Sequence, residues 1–156
     1  MGTRHHQRVI NKVGERKLAQ YGQWDGYPSG QGVDILRYLR EADLEKYQAN
    51  LDNLKKATEE DLEVVNKTEN WQEAYPYLSR DCGSNIHQMI EDGEVKFITL
   101  CSDEEANQWC EGFYTIDFET GTFHSEFHGA SKTYRLDDLP SDEVYLKALK
   151  DSDEEE

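Results

Sequence analysis

The chain has 156 residues, 36 % of them apolar and 32 % charged, with a formal net charge of −16. That length predicts one domain with a sizeable core, and nine Tyr, five Phe and three Trp argue against the disorder that low apolar content and high charge otherwise signal. The acidic excess excludes nucleic acid and anionic membrane as direct partners, because it repels both at long range. It suits a basic protein groove, which an acidic surface engages by resembling nucleic acid, or it serves solubility alone.

In chain order, residues 4–10 and 17–21 are predicted strands joined around the turn residues 11–15. Arg4, Arg8, Lys12, Arg16 and Lys17 lie here against a single carboxylate, Glu15, so this hairpin is expected to neutralise the acidic body. A glycine-rich stretch, "AQYGQWDGYPSGQG" at 19–32, leads into a helix. Val33, Ile35, Leu36 and Leu39 recur in it at helical spacing, and Asp34 sits in the first turn. A second helix is predicted over 43–57, with Leu44, Tyr47, Leu51 and Leu54 on one face. Thr58-Glu59-Glu60-Asp61 reads as a helix start, followed by Leu62, Val64 and Val65. In residues 68–80 Pro76 breaks any continuous helix. A short helix is predicted at 83–91, ended by Gly93.

The period then changes. Residues 95–100 are a predicted strand, and "GFYTIDF" and "TFHSEF" alternate around Glu119-Thr120-Gly121 as a hairpin. Residues 131–136 add a strand, and a helix from Ser141 to Lys150 is capped by Ser141 and Asp142. The organisation expected is one α+β domain over 1–150 with a disordered acidic tail over 151–156. Its mostly antiparallel sheet combines the N-terminal hairpin and the C-terminal meander, packed against several helices. Aromatic residues are expected to supply much of the core.

The glycine-rich turn lacks the Gly-Lys-Ser/Thr of a P-loop, and Asp25 and Asp34 would oppose a bound phosphate. Tyr21, Trp24 and Tyr27 can instead wall a pocket, with Arg4, Gln20, Gln23, Asp25 and Ser29 as polar contacts. The plainer alternative is that Trp24 and Tyr27 anchor the turn to the core. His124, Glu126 and His128 would share a strand face, but the two histidines would then stand about 13 Å apart. That is too far for one metal holding ligands at about 2 Å. Cys82 and His87, five positions apart, share no helical face. Cys101 and Cys110 lack zinc spacing, so all three thiols read as ordinary. His5 and His6 point to opposite faces, so at most one lines any site. No metal site, catalytic set or cofactor is expected.

Three cysteines cannot all pair, and no apolar run at the start resembles a signal, so the expected location is a reducing cytoplasm. No stretch approaches the roughly 18 apolar residues of a membrane span. The opening Met-Gly-Thr-Arg-His-His does not carry a myristoylation pattern, and loss of Met1 would leave Gly2 first.

Over residues 1–40, "MGTRH" and then "KLAQYGQWDGYPSGQG" resemble the N-terminal signature of a family of small, largely uncharacterised proteins. These are encoded by bacteriophages and bacteria, with relatives in fungi. The resemblance implies that Arg4, Gln23, Trp24, Asp25, Gly26, Tyr27, Pro28 and Ser29 belong to a shared motif, and it implies no catalytic residue. The N-terminal hairpin with an acid-bearing turn is also similar to N-terminal nucleophile hydrolases. Those require Cys, Ser or Thr as the first mature residue, whereas Thr3 here falls one position late.

The function expected is therefore a non-enzymatic acidic binding protein, phage-encoded and acting in the host cytoplasm. It would inhibit a host factor, for example a defence component, in one of two ways. Either it occupies a basic, nucleic-acid-binding surface on a host protein, or it sequesters a small signalling ligand. The alternative is a hydrolase-like enzyme with a site near Arg4, His5 and Asp25.

Overall fold

β1 (His5–Ile10) and β2 (Arg16–Gly22) form an antiparallel hairpin. In the loop between them Asn11 Oδ1 accepts the backbone N–H groups of Val13 and Glu15. The structure, a computed structural model, describes residues 3–79 and 81–153.

β5 (Gly112–Asp117), β6 (Thr122–Phe127) and β7 (Ala130–Arg135) form the meander. All five strands make one sheet in the order β2-β1-β5-β6-β7. The hairpin and meander therefore join as expected, and the seam between them is the parallel pair β1–β5. A parallel seam requires a long crossover, and the residues between β2 and β5 supply it with helices.

The first of these is α1 (Val33–Glu41), which buries Val33, Ile35, Leu36 and Leu39 as its spacing predicts. α2 (Leu44–Asp52) begins at Asp43, whose side chain accepts the Lys46 N–H. It stops short of the predicted end at 57. Leu54 turns inward and is buried, and the backbone beyond it finds sheet partners instead of helical ones. β3 (Lys55–Lys56) pairs in parallel with β4 (Phe97–Ile98), and Ala57 donates to the Ile98 carbonyl at 2.8 Å. The strand expected over 95–100 is cut to the two residues that pair with β3, and beyond it Cys101 N–H bonds the Ala19 carbonyl at 2.8 Å.

α3 (Glu59–Lys67) starts with a reciprocal cap between Thr58 and Asp61. The single turn α4 (Trp71–Ala74) ends before Pro76. α5 (Asn85–Glu91) stops at Gly93, whose φ of +74° is the left-handed conformation that glycine adopts without strain. α6 (Asp103–Trp109) has no counterpart in the sequence reading. α7 (Asp142–Asp153) runs three residues past the predicted end at Lys150, and the rest of the predicted tail lies outside the described residues. Ser141 Oγ caps it by accepting the Val144 N–H. Asp142 is no cap: its carboxylate is held by Arg37 and Arg40 of α1.

The core lies between the sheet and the helices. Val9, Leu18, Tyr114, Ile116 and Phe123 meet helical residues such as Leu36, Tyr47, Leu51, Ile86, Ile90, Tyr145 and Leu149, all essentially inaccessible to solvent. Each such side chain contributes about 1.5–3 kcal/mol through burial. Tyr47, Tyr114, Tyr145 and Phe123 are the largest fully buried groups, so aromatics do form much of this core. The fold is α+β. No helix among the described residues is long and apolar enough to cross a membrane.

Candidate ligand-binding cleft

β2 is an edge strand, and the space beyond its outer edge is only partly closed. Residues 77–78 and 98–101 approach it there. Cys101 N–H bonds Ala19, and Gln20 Nε2 donates to the Tyr77 carbonyl at 2.7 Å. Between these contacts runs an open cleft of about 600 Å³. Its floor is apolar, made by the buried Leu18, Ala19, Ile98 and Tyr77. Its rim carries the exposed Leu100 and Trp109 together with Arg4, Tyr21, Gln23 and Glu105. That size and mixture suit a small organic ligand.

Two elements build the rim. Arg4 precedes β1 and is fastened by its carbonyl, which accepts the N–H groups of Glu111 and Gly112. Its guanidinium lies over the Trp109 ring, 5.7 Å from the centroid, a cation–π arrangement. Trp109 ends α6, and Glu105 stands four residues earlier on the same helix face. Ser102 Oγ caps α6 by accepting the Glu105 N–H at 3.1 Å, while the Glu105 carboxylate lines the cleft. Tyr21 donates its hydroxyl to Gln23 Oε1.

Of the residues proposed from the sequence, Arg4, Gln20, Tyr21 and Gln23 line this cleft; Trp24, Asp25, Tyr27 and Ser29 do not. The turn carries those four away from it. Asp25 takes a left-handed φ of 56°, and its carbonyl accepts the Gln31 N–H at 2.7 Å. Its carboxylate accepts the Tyr27 hydroxyl, and Trp24 Nε1 donates to Asp81. Ser29 is exposed in a π-helical turn, Pro28–Gly32. Trp24 and Tyr27 are not core anchors either, being 45 % and 38 % exposed. The turn is held through glycine and proline: Gly26 N–H bonds the Thr3 carbonyl, the Tyr114 hydroxyl donates to the Gly26 carbonyl at 2.6 Å, and Pro28 is buried.

The residues of the hydrolase alternative do not share the cleft. Arg4 lines the cleft and Asp25 is outside, while His5 is fully buried, its ring against Gly22. Burial pushes the His5 pKa down to about 4; the neighbouring His6 lowers it further and Asp25 partly offsets this. Neither ring nitrogen of His5 has a hydrogen-bond partner among the described residues. His6 is buried too, with Nε2 at 3.2 Å from the Cys101 carbonyl. Neither histidine lines the cleft.

Cys82 and His87 do not meet as thiol and base. Burial raises the Cys82 pKa to about 11, and His87 is committed elsewhere. His87 Nε2 lies 2.6 Å from Gln7 Oε1, and its Nδ1 lies 2.8 Å from the Tyr47 hydroxyl. A neutral ring that donates from Nε2 and accepts at Nδ1 satisfies both contacts, and burial pushes its pKa down to about 3. This buried chain ties β1, α2 and α5 together. Cys110 is raised to about 12 by burial, with Cys101 adding to the shift.

His124 bonds Thr133 across the outer sheet face, whereas His128 lies beyond β6 at a φ of 50°, facing Glu111. The expected shared face of His124, Glu126 and His128 therefore breaks at the turn. Among the described residues no group of three or more His, Cys, Asp or Glu stands ready to hold a metal ion.

The sequence reading missed Leu100, Cys101, Glu105 and Trp109. Their one local signal is Ser102-x-x-Glu105, a helix-start pattern. No protein-family model matches the chain, and neither a curated protein nor a solved structure shows significant similarity to it.

Proposed function

We propose that the protein acts by binding and does not make or break bonds, with the cleft beside β2 as its ligand site. The observation that carries this reading is the Arg4 guanidinium over an exposed Trp109 ring at the rim of a cleft of about 600 Å³. A guanidinium held against a ring offers paired donors to an anionic group, and the ring offers a flat apolar surface. His5 is buried and Asp25 lies outside the cleft, which gives the hydrolase alternative no comparable support. In the setting drawn from the N-terminal signature, a phage-encoded protein would sequester a small ligand in the host cytoplasm and thereby inhibit a host factor.

Thermal melts against a panel of small anions, zwitterions and heteroaromatic compounds test it. A ligand at 100 times its Kd adds about 2.7 kcal/mol of stability. Trp109→Ala and Arg4→Gln should abolish that gain with little change in the unliganded protein. A panel without any stabilising compound, or stabilisation indifferent to both substitutions, sinks the reading.

A second reading rests on α3, where Glu59, Glu60 and Glu63 are exposed beside Leu62 and Val64, at 37 % and 56 % exposure. An acidic helix face with apolar contacts suits a basic groove on a host protein. Such binding should weaken steeply with added salt.

A further inference from the structure

We propose that the cleft takes a zwitterionic ligand of the α-amino-acid class, an amino acid or dipeptide bearing a flat apolar side chain. This rests on the capture reading above and sharpens it. Its ground is a pair of opposite charges that share one cleft without neutralising each other. Arg4 and Glu105 both line it. Among the described residues no ion pair joins them or engages either one, and the Glu105 carboxylate meets only the Cys101 thiol, whose Sγ lies 3.9 Å from Oε2.

Each group is placed by its own device. Arg4 is fixed by its carbonyl's two bonds to the start of β5 and by the Trp109 ring. Glu105 is fixed by its position on α6, where the i, i+4 spacing puts it about 5–6 Å from Trp109 between β-carbons. Along the rim, the cleft offers a cation, a flat ring and an anion. An amino acid or dipeptide with a flat side chain carries a complement to each.

Charge decides between ligand classes. A nucleotide would bring two or more negative charges to a cleft with one cation and one carboxylate, on a chain of net charge −16. A zwitterion carries no net charge and meets no long-range repulsion. Its carboxylate suits the fork of the Arg4 guanidinium, and its ammonium group suits Glu105. Its side chain can lie on Trp109 and Leu100, which are 56 % and 42 % exposed.

The test is calorimetric titration of the full-length protein with three probes. These are L-tryptophan, indole-3-propionate (the same ring and a carboxylate, without the ammonium) and adenosine monophosphate. Expected is binding of L-tryptophan about tenfold tighter than of indole-3-propionate. Glu105→Gln should erase that preference by weakening tryptophan alone; Glu105 is exposed, so the fold should survive the change.

Equal affinity for the two indoles, or an equal effect of Glu105→Gln on both, overturns the zwitterion. Binding of adenosine monophosphate that is tighter than tryptophan and lost in Trp109→Ala overturns it too, while leaving capture standing. Failure of all three probes at millimolar concentration also overturns it, and capture then depends on the thermal panel.

Discussion

The ring of His5 occupies the space that a side chain at Gly22 would need: a β-carbon there would lie 2.0 Å from His5 Nε2 and 2.4 Å from Cε1. Register explains the closeness, since His5 is paired with Gly22 on β2 and with Gly112 on β5. A bulky ring enters the sheet interior here because glycine flanks it on both neighbouring strands.

Gly22→Ala should therefore destabilise by overpacking, by about 1–3 kcal/mol or more, read as a lower urea midpoint. Adding His5→Ala should recover part of the loss, because the two changes share one space. Gly121→Ala serves as a contrast. It meets open space, so its cost comes only from a φ of +71°, about 1–2 kcal/mol. A Gly22→Ala protein as stable as the parent would contradict this packing.

Stability should fall with acid in a defined window. The folded-state pKa values of His5 and His87 lie at about 4 and about 3, both below the ordinary 6.5. The unfolded chain takes up protons as pH falls through 6.5, and the folded chain does not do so until about 4 and 3. Stability is therefore complete above about pH 6.5 and is lost below it, by about 1.4 kcal/mol per pH unit for each histidine. Urea midpoints at pH 7.5, 6 and 5 should decline in that order. His5→Gln should flatten the slope, whatever its absolute stability. A level or rising profile over that range would show that these rings are not buried in the neutral form.

The sequence reading and the structure agree where the signal is local and periodic. Alternation in "GFYTIDF" and "TFHSEF" marks β5 and β6, and Val33, Ile35, Leu36 and Leu39 mark α1. Part of the cleft's rim is legible too, since Tyr21 and Gln23 stand in a stretch dense with aromatic and polar groups and Arg4 belongs to the opening signature. The rest is hidden for two physical reasons. α6 is seven residues long and buries Ala106 but not Trp109, too little for a helical period to show. Arg4 meets Trp109 only through the long-range placement of α6 against β1, which no local pattern encodes. Trp24 and Tyr27 misled because an aromatic in a glycine-rich turn signals burial on average. Here their polar atoms bond Asp81 and Asp25 at the surface.

That last difference yields a pair of substitutions with opposite expected weights. Trp24 is 45 % exposed and its indole N–H bonds an exposed carboxylate, so Trp24→Ala should cost less than about 1 kcal/mol. Tyr114 is 1 % exposed, and its hydroxyl is the donor to the Gly26 carbonyl. Tyr114→Phe keeps the ring and removes that donor, leaving a buried carbonyl without it, at a cost of about 1–3 kcal/mol. The loss should also loosen the turn locally, because Gly26 is where the turn is bound to the strands. Hydrogen exchange of the amides at 25–32 should therefore accelerate in Tyr114→Phe and stay near the parent rate in Trp24→Ala. If Trp24→Ala unfolds the chain while Tyr114→Phe is silent, the turn is held by its aromatic side chain and not by the backbone bonds of Gly26.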